Sequence, residues 1–265
     1  MNIPETICEG FVKVFFTRDG FLKHTCLFAL TGLLSFISTY FRTLSENIKT
    51  GAENTDISSF LGYIIAGIIA TIVISLYLAG YNLKFQHNSF NTNSNEIMPD
   101  FDGNPIGVLF KALPLMIVWG IYYVIIMVTI GFFFTNPLVI LIGILMIIFA
   151  MLYFPFMQFI FVAYAKNYDH KGLFNIFLPL SYIKPAFVSL MICGLLFIFI
   201  WIAAMIIPFF AGLIMGIFGV SSTITIATGG IIGGYLGAVI QLIWVYCIVQ
   251  IYRNDIEPEI YNDNL

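Results

Sequence analysis

Asp100, Asp102 and Asn104, alternating with Phe101 and Gly103, place three oxygen donors within five residues, the kind of hard-ligand cluster that takes a divalent cation. An EF-hand loop counted from Asp100 would need glycine at its sixth position and glutamate at its twelfth, and the twelfth residue is Lys111. The stretch reads instead as a turn, a helix cap and a first-turn proline in Asp102-Gly103-Asn104-Pro105. His24, His87 and His170 stand alone in the sequence. Cys8, Cys26, Cys193 and Cys247 form no C-x-x-C pair and have no histidine at metal spacing. Neither a G-x-S-x-G nor an H-E-x-x-H motif is present. No catalytic residue, cofactor or metal ion is therefore expected. What remains for a polar site are neutral groups far from any charge: Tyr122, Tyr123, Gln158, Tyr235 and Gln241. An amide buried in an apolar medium must find partners, so these residues are expected either to join helices by hydrogen bonds or to line a pocket.

The elements that position them follow from composition. The 265 residues are 60% apolar and only 9% charged, with 28 Phe and 14 Tyr, and the mean hydropathy is +0.97. A water-soluble domain carries about 25% charged residues, so the apolar excess must face lipid. Disorder needs low hydrophobicity, and nucleic acid needs clustered basic residues, whereas the net charge here is −3. Both are excluded. The apolar stretch after Arg18 has no small-residue cleavage site and is expected to be a retained span rather than a removed signal.

About 20 apolar residues cross a bilayer as a helix. Spans are expected over 21–40, 60–82, 106–134, 137–165, 186–219 and 225–252, giving an all-α polytopic membrane protein of about six helices in three hairpins, a single membrane domain. Residues 112–165 hold no charge and break once, at Thr135-Asn136-Pro137. The long charge-free run 185–252 is expected to form two helices with a bend near Pro208; a re-entrant piece over 209–225 is the competing arrangement. With six spans both termini share one side. Nine of the 11 basic residues then fall on that side, and only Arg42 and Lys49 on the other. The positive-inside rule makes the terminal side cytoplasmic, in a prokaryotic inner membrane.

Each hairpin leaves through an aromatic and basic exit: Tyr81-Asn82-Leu83-Lys84, Tyr164-Ala165-Lys166 and Tyr252-Arg253-Asn254. Each is preceded by a short apolar lead-in, at 11–16, 97–101 and 173–178, expected to lie at the headgroups as an interfacial piece. The pattern fits either a threefold duplication or three independent answers to one interface. Residues 84–104, polar over 86–95, are expected to form a cytoplasmic linker, and 253–265 a solvated tail.

The chain resembles the prokaryotic membrane family filed as domain of unknown function 4013. The resemblance rests on Phe15-Phe16-Thr17-Arg18-Asp19-Gly20-Phe21-Leu22-Lys23, on Gly80-Tyr81, on Met98-Pro99-Asp100-Phe101-Asp102 and on Phe110-Lys111-Ala112. It covers the first half of the chain. The family usually has Leu before the proline, so Met98 departs from it. The resemblance implies this architecture and marks Arg18, Asp19, Gly80, Tyr81, Pro99, Asp100, Phe101, Asp102 and Lys111 as motif residues; the family carries no assigned activity. The expectation from these readings is a protein that handles or passes a lipid or small solute without catalysis. A structural or assembly subunit of a membrane complex and a lipid-modifying enzyme are the alternatives. Membrane lipids and other membrane proteins are the expected partners, and nucleic acid is not.

Overall fold

The computed structural model describes residues 1–49, 57–90, 97–101, 104–134, 155–169, 172–175 and 177–262. Among these residues the only regular elements are helices: α1 (Ile3–Phe15), α2 (Gly20–Lys49), α3 (Ile57–Phe90), α4 (Pro105–Phe134), α5 (155–167), the single turn α6 (Leu178–Ser181), α7 (Ile183–Ile217) and α8 (Ser222–Ile251). A π-helical turn, Tyr252–Ile256, then leads into α9 (Glu257–Asn262). Among the described residues four segments are long and apolar enough to cross a bilayer: Gly20–Arg42, Ile64–Phe90, Ile183–Ile217 and Ile224–Glu259. They overlay the expected spans 21–40, 60–82, 186–219 and 225–252. The architecture is that of an all-α membrane protein. Of the expected 106–134 span, α4 supplies the apolar segment Ile106–Val118. Most of the expected 137–165 span lies outside the described residues.

Packing follows from which helix faces lack bulk. α1 starts with Pro4 in its first turn and buries Ile3, Thr6, Ile7, Gly10 and Val14, a stripe of period 3.6. That stripe lies on α8, and a Cβ on Gly10 would come within 3.1 Å of the Tyr246 ring and 3.2 Å of Ile243. α8 also touches α2, α3 and α7, which makes it the centre of the bundle. Ser35 Oγ donates to the Gly230 carbonyl at 2.9 Å, tying α2 to α8. By contrast, α7 exposes Phe199, Ile202, Met205, Phe209 and Ile217, an outer face suited to lipid. The Asn254 amide lies 3.5 Å from Met1 Sδ, so both ends of the described chain gather at one end of the bundle.

Several boundaries differ from those read in the sequence. Residues 84–90 are not linker: α3 continues to Phe90, and Phe85 and Ser89 are fully buried. The polar residues there find partners inside the protein. Ser89 Oγ donates to the Phe85 carbonyl at 2.7 Å, and His87 Nδ1 donates to the Ala165 carbonyl at 2.9 Å. Residues 91–96 lie outside the described residues. The tail is not wholly solvated either, because Ile256 is completely buried and Glu257 pairs with Lys166. Residues 209–217 belong to α7, which runs unbroken through Pro208, so they form no re-entrant piece. The exit tyrosines Tyr81, Tyr164 and Tyr252 are buried against protein.

Candidate functional site

The lead-in segment 97–101 is drawn into the bundle by one basic side chain. Lys23, 5% exposed near the start of α2, donates from Nζ to the Met98 carbonyl at 2.8 Å and pairs with Asp100 Oδ1 at 2.9 Å. A buried ammonium needs both partners, since an unpaired charge in a dry site costs several kcal/mol, of the order of 3 or more. Phe101 stacks on Tyr81 at 4.4 Å between ring centres, while Tyr77 Oη donates to the Phe101 carbonyl at 3.4 Å. Asn88 Nδ2 donates to the Ile97 carbonyl at 3.2 Å. Ile97, Met98 and Pro99 are consequently buried. The expectation of a surface piece lying under headgroups is corrected for these three residues, which are buried in the bundle, with the Met98 and Ile97 carbonyls claimed by Lys23 and Asn88. Next to them Gly80 permits α3 and α4 to touch, because a Cβ there would strike the Val108 side chain and carbonyl.

Motif residues distant in sequence thus meet: Gly80, Tyr81, Pro99, Asp100 and Phe101 lie together around Lys23. Arg18 and Asp19 stand apart in the exposed turn before α2, their charged groups 4.0 Å from each other. Asp19 takes a left-handed backbone there, φ 55°. Asp102 lies outside the described residues. Lys111 sits one turn beyond Val108; its carbonyl accepts from Tyr164 Oη at 3.1 Å and its ammonium lies 4.0 Å from the Tyr168 ring centre.

Deeper in the bundle α3, α4, α5 and α8 enclose a cavity of about 520 Å3, partly open on one side. Its wall is largely apolar and carries four carboxamides: Asn82 and Gln86 one helical turn apart on α3, Gln158 on α5 and Gln241 on α8. Gln158 Oε1 accepts from Trp244 Nε1 at 2.6 Å. The oxygens Asn82 Oδ1 and Gln86 Oε1 are buried and have no partner among the described residues. Buried amides are ordinarily hydrogen-bonded, so two bare acceptors on one cavity wall call for a ligand or water.

Of the residues expected at a polar site, the cavity therefore brings together Gln158 and Gln241. Tyr235 is elsewhere, donating to His24 Nδ1 at 2.9 Å while His24 Nε2 donates to the Val14 carbonyl at 3.1 Å. The Val14 carbonyl can only accept, which fixes the tautomer and makes Tyr235 a latch between α8 and the α1–α2 corner. Gly120 lines the cavity from α4, but the side chains of Tyr122 and Tyr123 lie outside the described residues. Asn82 and Gln86 were missed in the sequence, where they read as parts of an exit and a linker. Their spacing of four, in phase with the apolar Leu83, was the available signal.

Among the described residues no group of three or more His, Cys, Asp or Glu is arranged to hold a metal. Comparison with protein-family models, with curated proteins and with solved structures gave no match.

Proposed function

We propose that this chain is a six-span protein of the prokaryotic cytoplasmic membrane, both termini cytoplasmic, that holds a lipid or another small, largely apolar molecule in the four-helix cavity without transforming it. The observation that carries the reading is the pair of unpartnered acceptors, Asn82 Oδ1 and Gln86 Oε1, on an otherwise apolar wall. Such a wall suits a molecule with a long apolar body and one or two hydroxyl or amide donors. No described lining residue titrates, so the wall offers no general acid, base or nucleophile, which favours binding over chemistry. Sidedness is supported by Lys13, Lys23, Lys84, Lys111 and Lys166, which lie in α1, within the first two turns of α2 and α4, or within the last two turns of α3 and α5. Membership in the family of domain of unknown function 4013 belongs to the same proposal and rests on the meeting of its motif residues around Lys23.

A second reading, a subunit that packs against another membrane protein, is favoured by the outer face of α8, where a Cβ on Gly229 or Gly233 would meet nothing within 4 Å. Small-molecule and protein mass spectrometry of the detergent-purified chain separates the two. A copurifying lipid that is lost from the Asn82→Leu/Gln86→Leu double variant, with thermal stability held or raised, supports the cavity reading, because removing unpaired acceptors costs nothing in the fold. Equal lipid in variant and wild type overturns it. A stoichiometric protein partner with no lipid supports the second reading, and turnover of an added lipid would show an enzyme.

A further inference from the structure

A different face of α3 from the one bearing Asn82 and Gln86 borders a second hollow. Gly80, Lys84, His87 and Asn88 of α3, Asn104 before α4, Gly107, Val108 and Lys111 of α4, and Tyr168 after α5 enclose a cleft of about 390 Å3. Its electrostatics are one-sided. Lys13, Lys23 and Lys166 each pair with a carboxylate, of Glu9, Asp100 and Glu257 respectively. Lys84 and Lys111 have no carboxylate within 4 Å among the described residues, and no described acid lines the cleft. Two cations facing the same concave space, with no described carboxylate within 4 Å of either, are arranged for an anion rather than for stability.

The walls hold those groups in place. The Lys111 ammonium is fixed over the Tyr168 ring at 4.0 Å, and the His87 ring stacks on the same Tyr168 at 5.2 Å. His87 Nδ1 is spent on the Ala165 carbonyl, which leaves its Nε2 without a partner among the described residues. Asn104 Oδ1 accepts from the Gly107 amide at 3.0 Å, so its Nδ2 is the end left to donate. Tyr168 adopts φ 53°, a left-handed backbone that a bulky residue seldom takes, and its ring meets both Lys111 and His87. Burial, with the neighbouring Tyr164 adding to it, pushes the Tyr168 hydroxyl above the ordinary tyrosine value, so the wall adds no negative charge.

We propose that this cleft binds a phosphate group through Lys84 and Lys111, with Asn104 as a further donor, the phosphate being that of an anionic lipid headgroup or free in solution. Its position at the end of α3 and the start of α4 puts it where a headgroup would lie, and its volume exceeds a bare phosphate enough to admit a glycerol unit. It is independent of the amide-lined cavity: either can fail without the other.

Calorimetric titration of the full-length protein in neutral detergent with short-chain phosphatidylglycerol, and separately with inorganic phosphate, tests this. The wild type should bind phosphatidylglycerol. Lys84→Gln/Lys111→Gln should lose about tenfold or more in affinity, as expected when two charge-assisted contacts are removed. Lys84→Arg/Lys111→Arg should retain binding within about threefold, and Lys184→Gln, an exposed lysine at the start of α7, should leave it unchanged. If inorganic phosphate competes, free phosphate is the recognised form; if it does not, the lipid headgroup is. Because neither cleft lysine makes an ion pair among the described residues, the glutamine variant is expected to fold. Should it not, competition of wild-type binding by rising salt supplies the readout, and binding indifferent to salt contradicts the proposal. Phosphatidylglycerol affinity in Lys84→Gln/Lys111→Gln within about twofold of wild type overturns it.

Discussion

The 97–101 segment and the four-helix cavity both lie against α3, yet they treat their charged and amide side chains differently. Around 97–101 the buried ammonium and amide are answered, Lys23 by Asp100 and the Met98 carbonyl and Asn88 by the Ile97 carbonyl, while the buried Tyr81 hydroxyl has no partner among the described residues. In the cavity the Gln158 oxygen accepts from Trp244, while among the described residues nothing meets the oxygens of Asn82 and Gln86. A paired charge and amide fix one arrangement of the chain, whereas bare amide oxygens keep an interaction in reserve. In the proposed reading the first region holds the α2–α3–α4 corner together and the second is the binding site.

Substitutions sharpen that contrast. The largest effect is expected at Gly80, where Gly80→Leu would force α3 from the Val108 backbone and cost about 3 kcal/mol or more, seen as a lowered unfolding temperature in detergent. Asp100→Ala should follow at about 2 kcal/mol. It leaves the buried Lys23 ammonium with the Met98 carbonyl alone, and the effect is moderated because the Asp100 side chain is 61% exposed. If Asp100→Ala unfolds at the wild-type temperature, the pairing with Lys23 is not what seats the segment. In the cavity the two glutamines should part company. Gln158→Leu orphans the Trp244 N–H and should cost about 1 to 2 kcal/mol. Gln241→Leu breaks no described hydrogen bond and should fall within about 0.5 kcal/mol of wild type while lowering the copurified ligand. Equal destabilisation by both changes would make Gln241 a helix joint too.

Most helices were legible because long charge-free runs leave few alternatives in lipid. The helix start at Asn104-Pro105 was legible in its turn and cap residues, and Asn104 does receive the Gly107 amide. The extension of α3 through Gln86-His87-Asn88-Ser89-Phe90 was not, because a polar run signals solvent unless one knows which carbonyls await it. Those belong to Ala165 and to Ile97, one of them far away in the sequence. The same gap hid the cavity. Gln158 and Gln241 stood out as lone amides in apolar runs, whereas Asn82 and Gln86 became conspicuous only once α3 was seen to continue past its exit tyrosine. Tyr235 looked equally isolated but is taken by His24 from a helix 211 residues away in sequence.

The central claim is that the amide-lined cavity is a ligand site inside the bundle. Photocrosslinking with a lipid that carries a diazirine in its acyl chain, followed by peptide mapping, tests this most directly. The account predicts label on the cavity wall, at Ala79 to Gln86 and Leu115 to Gly120, reduced in the Asn82→Leu/Gln86→Leu variant. Label confined to outward residues such as Phe199, Ile202 and Met205 of α7, with none on the cavity wall, would contradict it.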